Sequence, residues 1–203
     1  MNAFYTSPLW VSMKKTIVLR LNMMTTEEIW KIYREAELIC PVEDVQAALK
    51  RLAHEITAEL GDKHPLVLSV MGGAVIFTGQ LLPLLEFPLD FDYLHVTRYG
   101  NRTQGGELEW RVLPKEIVTG RVVLVLDDIL DEGHTLAAIR DKILAMGATA
   151  FYSAMFSEKE TGKPKPIAAN FTGVRLPDRY VFGFGMDVYG AWRNLPAVYA
   201  VKN

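Results

Sequence analysis

Three aspartates stand close together in the segment VVLVLDDILDEGHTLAAI, which covers residues 122–139. Asp127 and Asp128 directly follow an apolar run, Asp131 comes three residues later, and Gly133 and Thr135 complete the group. The apolar run is typical of a buried strand, and such a strand does not need several carboxylates at one end, because a buried charge is unfavourable unless it is paired. We interpret these residues as part of a binding or catalytic site.

The loop 129–135, and the helix that we expect to start near Thr135, suit an anion. The N–H groups at the start of a helix have no partners within it and the helix dipole favours negative charge, so a turn glycine here is typical of a phosphate site. Carboxylates repel phosphate, so the acids must serve another part of the ligand, either a vicinal diol or a magnesium ion. The pattern indicates a ligand with a phosphate, a sugar diol and a magnesium-bound group.

Other interpretations of this segment are open. An acidic pair at a strand end also occurs in receiver-type phosphoacceptor modules and near the metal site of NTPases, and a solvated acidic turn has the same composition. The chain contains no GxxxxGK[ST] sequence, which disfavours an NTPase. A receiver module is shorter than this chain and leaves the later segments unexplained.

The elements that must position these residues alternate between strand and helix patterns. Short apolar runs bounded by glycine or proline predict strands, and apolar residues at helical spacing predict helices between them. The predicted strands cover residues 65–70, 89–99, 122–126, 149–156, 179–186 and 197–201, and ELEWRVL (107–113) predicts an exposed hairpin strand. This alternation indicates a parallel sheet with helices on both faces, whose ligands bind at the carboxyl ends of the strands.

Caps and apolar spacing predict the helices. Thr25 and Glu28 form a capping box before the first helix, and Pro41 opens the second. The third follows the strand at 65–70 and ends or kinks near Pro83, and the fourth ends at Gly147. The second helix is the longest, with a buried stripe predicted at Val45, Leu49, Leu52, Ile56 and Leu60.

Composition and charge bound the class of protein. The chain has 203 residues, half of them hydrophobic, which suits one domain with a sizeable core. Its net charge of −2 provides no electrostatic basis for nucleic-acid or membrane binding, and no window reaches the roughly 20 apolar residues of a membrane span. Cys40 is the only cysteine, so no intrachain disulfide can form and a cytoplasmic location is expected. Because Met13, Met23 and Met24 are each candidates for the start, we interpret residues 1–23 as a leader of uncertain role.

The segment VVLVLDDILDEGHTL resembles the signature with which type I phosphoribosyltransferases bind 5-phosphoribosyl 1-pyrophosphate (PRPP). Both consist of an apolar strand, two acids, two apolar residues and then Asp-x-Gly-x-Thr. Three further segments narrow the resemblance to the hypoxanthine-guanine phosphoribosyltransferases, and they follow that family's order over residues 24–201. These segments are SVMGGAVIF (69–77), TRYGNRTQGGELEW (97–110) and LPDRYVFGFGMDVYGAWRNLPAVYAV (176–201).

The resemblance implies an α/β fold of the type I phosphoribosyltransferases, a parallel sheet flanked by helices with a small hood subdomain. Residues 24–203 would form this domain, with the hood built from about 159–203 and a contribution of the N-terminal helix left open. The implied reaction is magnesium-dependent transfer of 5-phosphoribosyl from PRPP to hypoxanthine or guanine, giving IMP or GMP and pyrophosphate. A related transferase that prefers xanthine or another base, and a non-catalytic PRPP-sensing regulator, are the alternatives. A homodimer or homotetramer is expected, without nucleic-acid or membrane partners.

The resemblance also assigns roles around PRPP. Asp127 and Asp128 would hold the ribose hydroxyls, and together with Asp187 they would bind magnesium. Asp131 would be the general base near N7 of the purine. The full set expected to bind PRPP is Met71, Gly72, Asp127, Asp128, Asp131, Glu132, Gly133, His134, Thr135 and Arg193.

Four residues are expected at the purine, and two in a mobile lid. Lys159 would read the 6-oxo group, Tyr180 would stack on the ring, Val181 would offer its backbone to the ring edge, and Asp187 would lie beside them. An ammonium group only donates hydrogen bonds, so it favours a 6-oxo base over the amino group of adenine. The lid residues implied by the resemblance are Arg98 and Tyr99.

Three positions depart from the family pattern. Glu132 and His134 stand where a small hydroxyl residue and a lysine or similar residue are usual, and Met71 occupies a position that often carries lysine. Glu132 adds negative charge beside a phosphate, which a protonated His134 would partly offset. With Met71 in place of lysine, the pyrophosphate contact there is expected to come from backbone N–H groups, in a loop whose peptide bond is often cis in the family.

Overall fold

The computed structural model describes residues 24–98 and 108–202, and the chain divides into two compact units between Ala36 and Glu37. The described element of the first unit is helix α1 (Thr26–Glu35). Its predicted capping box is confirmed, since the Glu28 N–H donates to Thr25 Oγ1 at 3.2 Å and the Thr25 N–H donates to the Glu28 carboxylate at 2.7 Å. Residues 1–23, interpreted as a leader, lie outside the described part of the chain.

The second unit alternates strands and helices, as predicted. Its first half contains β1 (Glu37–Cys40), α2 (Val42–Leu60), β2 (Leu66–Met71), α3 (Val75–Leu81), a 3₁₀ turn (Leu82–Leu84), β3 (Asp90–Arg98) and β4 (Leu108–Val112). Its second half contains β5 (Val122–Leu130), α4 (His134–Ala145), β6 (Ala150–Glu160), β7 (Phe171–Pro177), β8 (Val181–Phe182) and β9 (Val198–Ala200).

The main sheet has six strands in the order β4-β3-β2-β5-β6-β7. All neighbouring pairs are parallel except β3 and β4, which form the predicted hairpin. After β2 the chain continues to one side of the sheet, and after β5 it continues to the other. The carboxyl ends of β2 and β5 therefore flank the point where the strand order reverses, which is where open α/β sheets bind their ligands.

Helices cover both faces of the sheet because side chains of a strand alternate between its faces. Leu124 and Leu126 of β5 pack in one core with α2 and α3, whereas Val123 and Val125 pack in a second core with α4. All four side chains are fully buried. The buried stripe predicted for α2 is confirmed, since Val45, Leu49, Leu52, Ile56 and Leu60 are all in the core.

The strand that carries the acids is longer than predicted. β5 runs to Leu130, four residues beyond the predicted end, and Leu130 still lies opposite Glu158 of β6. Because β6 extends beside it to Glu160, Asp127, Ile129 and Leu130 lie opposite residues of β6. Asp127 and Asp128 therefore belong to the second half of the strand rather than to a loop, and only residues 131–133 connect β5 to α4.

A second, three-stranded antiparallel sheet has the order β1-β9-β8. The strand predicted at 179–186 is wrong beyond Phe182, because Gly183, Phe184 and Gly185 all have positive φ and turn the chain. Strands β1 and β7 were not predicted. Within residues 24–98 and 108–202, no helix combines the length and apolar character needed to cross a membrane.

Candidate active site

The connection from β5 to α4 forms the floor of an open cavity of about 340 Å³ at the carboxyl end of the sheet. Its lining includes Asp127, Asp131, Glu132, Gly133 and Thr135. Gly133 has a φ of 84° and immediately precedes the first turn of α4, whose N–H groups have no partners within the helix. A side chain at this position would also meet Pro166 at 3.3 Å. The arrangement offers a turn glycine and helix-start donors to an anion, as the sequence predicted.

The adjacent acids at the end of β5 are held in an unfavourable environment. The Asp128 N–H donates to Asp127 Oδ1 at 2.9 Å. Burial, followed by the charge of Asp128, raises the pKa of Asp127 well above the usual carboxylate range. Burial also raises the pKa of Asp128, although Asp127 and the Arg193 guanidinium lower it. Two carboxylates in this state gain from any ligand that donates hydrogen bonds or carries positive charge.

The turn after β2 approaches the acids through backbone alone. The Met71–Gly72 peptide bond is cis. A Cβ added to Gly73 would lie 2.1 Å from Asp128 Oδ2, and a Cβ added to Gly185 would lie 2.2 Å from the Gly73 carbonyl oxygen. Only glycine fits at both positions. The turn after β2, the end of β5 and the segment around Gly185 can therefore come together here. Sequence reasoning missed Gly73 and Gly185, although a Gly-Gly pair directly after a strand is a recognisable sign of close backbone approach.

Asp131 and Lys159, predicted as general base and purine reader, form an ion pair. The Lys159 ammonium lies 3.0 Å from Asp131 Oδ2, and only 14% of the lysine side chain is exposed. The nearby lysines differ from it: Lys163 is exposed, whereas Lys165 contacts other groups, as described below. The structure therefore pairs Lys159 with the third acid, whereas Lys163 and Lys165 only line a neighbouring cavity.

A second cavity of about 190 Å³ adjoins these residues. It is lined by Asp128, Ile129, Asp131, Lys159, Tyr180, Val181, Met186, Asp187 and Arg193. All the residues predicted to bind the purine line this one cavity. Ile129 and Met186 were missed because, in sequence, both are apolar residues of strand-like segments.

Two tyrosines form an exposed aromatic pair at the rim of the second cavity. The Tyr180 side chain is 57% exposed, and its ring lies parallel to that of Tyr189, with a centroid distance of 6.4 Å and an angle of 16° between planes. Tyr189 has a positive φ of 51° and is followed by Gly190 at 82°, so the two residues form a tight turn. A tyrosine is strained at such a position, and sequence reasoning did not identify it.

Arg193 connects the acids to the C-terminal segment. Its Nη1 donates to the Gly185 carbonyl at 2.6 Å and lies 3.9 Å from Asp128 Oδ2, and its Nη2 pairs with Asp187 Oδ1. The Gly190 N–H donates to the other oxygen of Asp187 at 2.8 Å. These contacts fix the guanidinium beside the acids, where its fork of donors can face an anionic group.

The carboxylates were tested for their fit to magnesium. In the described ranges, no three His, Cys, Asp or Glu side chains form a cluster that could hold a metal by themselves. Magnesium is commonly bound by one or two carboxylates together with substrate phosphates, so such a cluster is not needed. Asp127 lines the first cavity, and Asp128 and Asp187 line the second. The three carboxylates supply only oxygen donors to these two cavities, which fits this mode of binding.

Four other predicted site residues belong to the expected lid or to the anion loop. Tyr99 of the expected lid lies outside the described residues, and for Arg98 only the backbone is described, opposite Leu108 of β4. Glu132 and His134 both line a third cavity of about 250 Å³ next to Asp131.

Comparisons with known proteins show the family and the fold of this chain. The family model described as a phosphoribosyl transferase domain matches residues 41–189. The hypoxanthine-guanine phosphoribosyltransferase of Bacillus subtilis (strain 168) is 32% identical over 161 residues, which are 79% of this chain and 89% of that protein. The hypoxanthine-guanine-xanthine phosphoribosyltransferase of Tritrichomonas foetus is 30% identical over 161 residues, which are 79% of this chain and 88% of that protein. A solved hypoxanthine-guanine-xanthine phosphoribosyltransferase structure has a TM-score of 0.75 at 28% identity and covers 82% of this chain and 97% of its own.

Proposed function

Because the chain belongs to the phosphoribosyltransferase family, we propose that it transfers 5-phosphoribosyl from PRPP to N9 of a 6-oxopurine in purine salvage. The predicted α/β fold and enzyme class are those of the matched relatives. Hypoxanthine and guanine are the proposed acceptors, since they are the bases in the name of the Bacillus subtilis relative. Xanthine is the alternative acceptor, since it appears in the name of the Tritrichomonas foetus relative.

One observation carries this proposal. The second cavity, lined by Asp131, Lys159, Tyr180 and Arg193, adjoins the first cavity at the start of α4, and the two acids at the end of β5 lie between them. The second cavity has the flat wall and the donor that a purine needs, and the first has the N–H groups that a phosphate needs. The acids in between are placed for the ribose hydroxyls, so the order of groups matches the order of parts in the nucleotide product.

The reaction breaks the bond from C1 of the ribose to pyrophosphate and forms a bond from C1 to N9 of the base. Asp131 accepts the proton that the base loses at N7, and Asp127 and Asp128 hold the ribose hydroxyls. Arg193 and the backbone N–H groups at Met71 and Gly72 bind the departing pyrophosphate. Asp127, Asp128 and Asp187 would hold magnesium together with substrate oxygens, and the ion would supply positive charge to the pyrophosphate. The protein's own contribution is orientation and exclusion of water.

Two residues at the anion cavity adjust its charge. Glu132 is partly buried and brings a carboxylate to a site for phosphate, which weakens PRPP binding through repulsion. His134, the first residue of α4, is exposed beside it. We assign the 5′-phosphate to the N–H groups from Asp131 to Thr135, and His134 lines the same cavity as Glu132.

The surrounding assignments follow the family. Residues 24–203 form the phosphoribosyltransferase domain, with the hood over the purine built from about 159–203, where β8 and β9 pair with β1. Arg98 and Tyr99 belong to a lid that closes over PRPP. The enzyme is cytoplasmic and assembles as a homodimer or homotetramer.

Magnesium-dependent nucleotide formation from PRPP tests the proposal directly. We expect turnover with hypoxanthine and guanine and almost none with adenine or pyrimidine bases, with xanthine measured in the same panel. Activity with xanthine alone would favour the alternative acceptor. PRPP binding without turnover of any base would overturn the proposal in favour of a PRPP-sensing regulator on the same fold.

Lys159→Ala tests how the base is selected. Facing the amino group of adenine, the Lys159 ammonium keeps Asp131 but gains no acceptor from the base, and a missing hydrogen bond to a charged group costs about 1–3 kcal/mol, roughly tenfold or beyond in discrimination. We expect Lys159→Ala to lower kcat/KM for hypoxanthine and guanine much more than for adenine. The exposed Lys163 is the matched control, and equal behaviour of the Lys159→Ala and Lys163→Ala variants would remove Lys159 from this role.

A further inference from the structure

Lys165 is the most confined of the three lysines that follow β6. Its side chain is only 11% exposed. Its ammonium donates to the Lys159 carbonyl at 2.7 Å, to the Leu130 carbonyl at 3.1 Å and to Glu158 Oε1 at 3.1 Å. An ammonium has three donors, so all of them are used within the protein. All three donors of Lys165 are therefore taken by protein groups. Its role lies in the two backbone carbonyls and the carboxylate that it binds.

The groups bound by Lys165 are the ends of the two strands that carry the site. Leu130 is the last residue of β5 and lies opposite Glu158 of β6. Beyond this pair the ladder between β5 and β6 ends, so carbonyl groups there need other partners. The ammonium donates to both strands at once, and the Lys159 carbonyl also accepts from the Thr161 N–H at 3.1 Å.

Each carbonyl belongs to, or directly precedes, a residue of the Asp131–Lys159 ion pair. Lys159 provides one of the two carbonyls itself, and Leu130 is bonded to Asp131 through the next peptide bond. Because one ammonium holds both backbones, the 3.0 Å separation of the Lys159 and Asp131 side chains depends on it.

The same segment also contacts the anion loop. A Cβ added at Gly133 would lie 3.3 Å from Pro166 Cδ, 3.4 Å from Lys165 Cβ and 3.6 Å from Ile167. The segment 165–167 therefore packs behind the turn that precedes α4, while Lys165 holds the residues facing the purine cavity.

We propose that Lys165 is a positioning residue, which sets the geometry of Asp131 and Lys159 and thereby the rate and base selectivity of phosphoribosyl transfer. The expected effects on rate and base selectivity rest on the proposed function. The expected effect on the geometry of Asp131 and Lys159 does not. Misplacement of a reacting group by about 1 Å can reduce the rate roughly 100-fold. Lys165 acts through its two carbonyl contacts, since it touches no reacting atom itself.

Lys165→Met is the main test, because methionine has similar length and no donors. We expect kcat/KM for hypoxanthine to fall about 10- to 100-fold. The ratio of kcat/KM for hypoxanthine to kcat/KM for adenine should decrease. The exposed Lys163 is two residues away, and Lys163→Met should behave as wild type. Equal effects of the two substitutions would overturn the proposal.

The single substitution leaves Glu158 without its cation, which can destabilise the fold by itself. The double variant Glu158→Gln with Lys165→Met removes both charges, and it should show the same loss of activity at near-normal thermal stability. A double variant with normal activity would show that the carbonyl contacts do not matter.

A double-mutant cycle separates positioning from a general structural effect. If Lys165 acts through Lys159, Lys165→Met should cost several-fold less activity in the Lys159→Ala background than in the wild type. Losses that agree within about twofold in the two backgrounds would mean independent action and would overturn the proposal.

A crystal structure of Lys165→Met provides a readout without turnover. We expect the distance from Lys159 Nζ to Asp131 Oδ2 to increase beyond the roughly 4 Å of an ion pair. An unchanged distance would overturn the inference about Lys165. Absence of turnover in the wild-type enzyme would instead count against the proposed function, and this distance would still be measurable.

Discussion

Two aspartates of the main sheet, Asp92 in β3 and Asp128 in β5, are equally buried, with 9% of each residue exposed, yet their pKa values shift in opposite directions. The carboxylate of Asp92 accepts from the N–H groups of Tyr93 at 2.8 Å, Lys115 at 2.6 Å and Glu116 at 3.0 Å. Burial alone would raise the pKa of Asp92, but these donors hold it below its ordinary value. Burial prevails at Asp128 and raises its pKa.

The difference shows which acid the fold itself needs. Asp92 anchors the turn at residues 115–116 to β3, so its charge is satisfied within the protein. The Asp127–Asp128 pair carries charge that the protein leaves incompletely compensated. Such groups commonly mark functional sites, because a bound ligand can supply the hydrogen-bond donors or positive charge that the protein itself does not provide. Fractional exposure does not separate the two kinds of acid, whereas their partners do, since three backbone N–H groups face Asp92 and a second carboxylate adjoins Asp128.

The largest expected effect concerns Asp131, the third acid of the β5 segment. Asp131→Asn keeps the size of the side chain but removes its ability to take the proton from N7. We expect turnover to fall about 10²- to 10⁴-fold, with PRPP affinity, measured by calorimetry, and the free energy of unfolding nearly unchanged. Near-normal turnover would show that Asp131 is not the general base.

Asp92→Ala should have the opposite effect to Asp131→Asn, with lower stability and unchanged activity. Removing the carboxylate leaves the N–H groups of Lys115 and Glu116 without this acceptor, and losing hydrogen bonds to a charged group costs about 1.5–3 kcal/mol. We expect the free energy of unfolding, measured by urea denaturation, to fall by this amount while kcat/KM of the folded enzyme stays normal. A loss of activity without a loss of stability would contradict the structural role.

The pH dependence of Asp92 follows from its lowered pKa. The unfolded chain binds a proton near the ordinary value of about 3.9, and the folded protein binds it only at lower pH. The stabilisation by Asp92 is therefore complete above pH ~4 and lost as the pH falls through the folded pKa. Asp92→Ala and the wild type should converge in stability in that acidic range.

The smallest expected effect is a gain in stability at the functional acids. The raised pKa of Asp127 means that the wild-type protein loses stability as the pH rises from about 3.9 through the folded pKa. Asp127→Asn retains the acceptor for the Asp128 N–H and removes the charge, so we expect a gain of about 0.5–2 kcal/mol at pH 7, together with loss of PRPP binding.

Urea denaturation at pH 7 and near pH 3 checks this expectation. The gain should disappear at the lower pH, where both carboxylates of the wild type are protonated. Asp92→Asn is the matched control and should be destabilising at pH 7. A gain in stability with Asp92→Asn, or no gain with Asp127→Asn, would show that the two regions do not differ in this way.

Much of the site was predictable because it lies in one continuous segment. The order of apolar strand, two acids, third acid, glycine and threonine in residues 122–135 constrains both the fold and the chemistry. The alternation of apolar runs predicted the parallel sheet, and the spacing in α2 predicted its buried face, because both patterns follow from local backbone geometry. The continuation of β5 to Leu130 was not predictable, since it depends on the length of β6.

Residue types and their order in this sequence therefore determined the sheet, the anion loop and the family resemblance. Only the tertiary structure decided which polar groups are satisfied. Asp92 and Asp128 are the same residue type, as are Lys163 and Lys165, but their partners differ and come from distant positions, such as Arg193 for Asp128 and Leu130 for Lys165. Hydrogen bonding and desolvation act through distance in space, so a charged residue becomes structural or functional only when the fold has placed its partners.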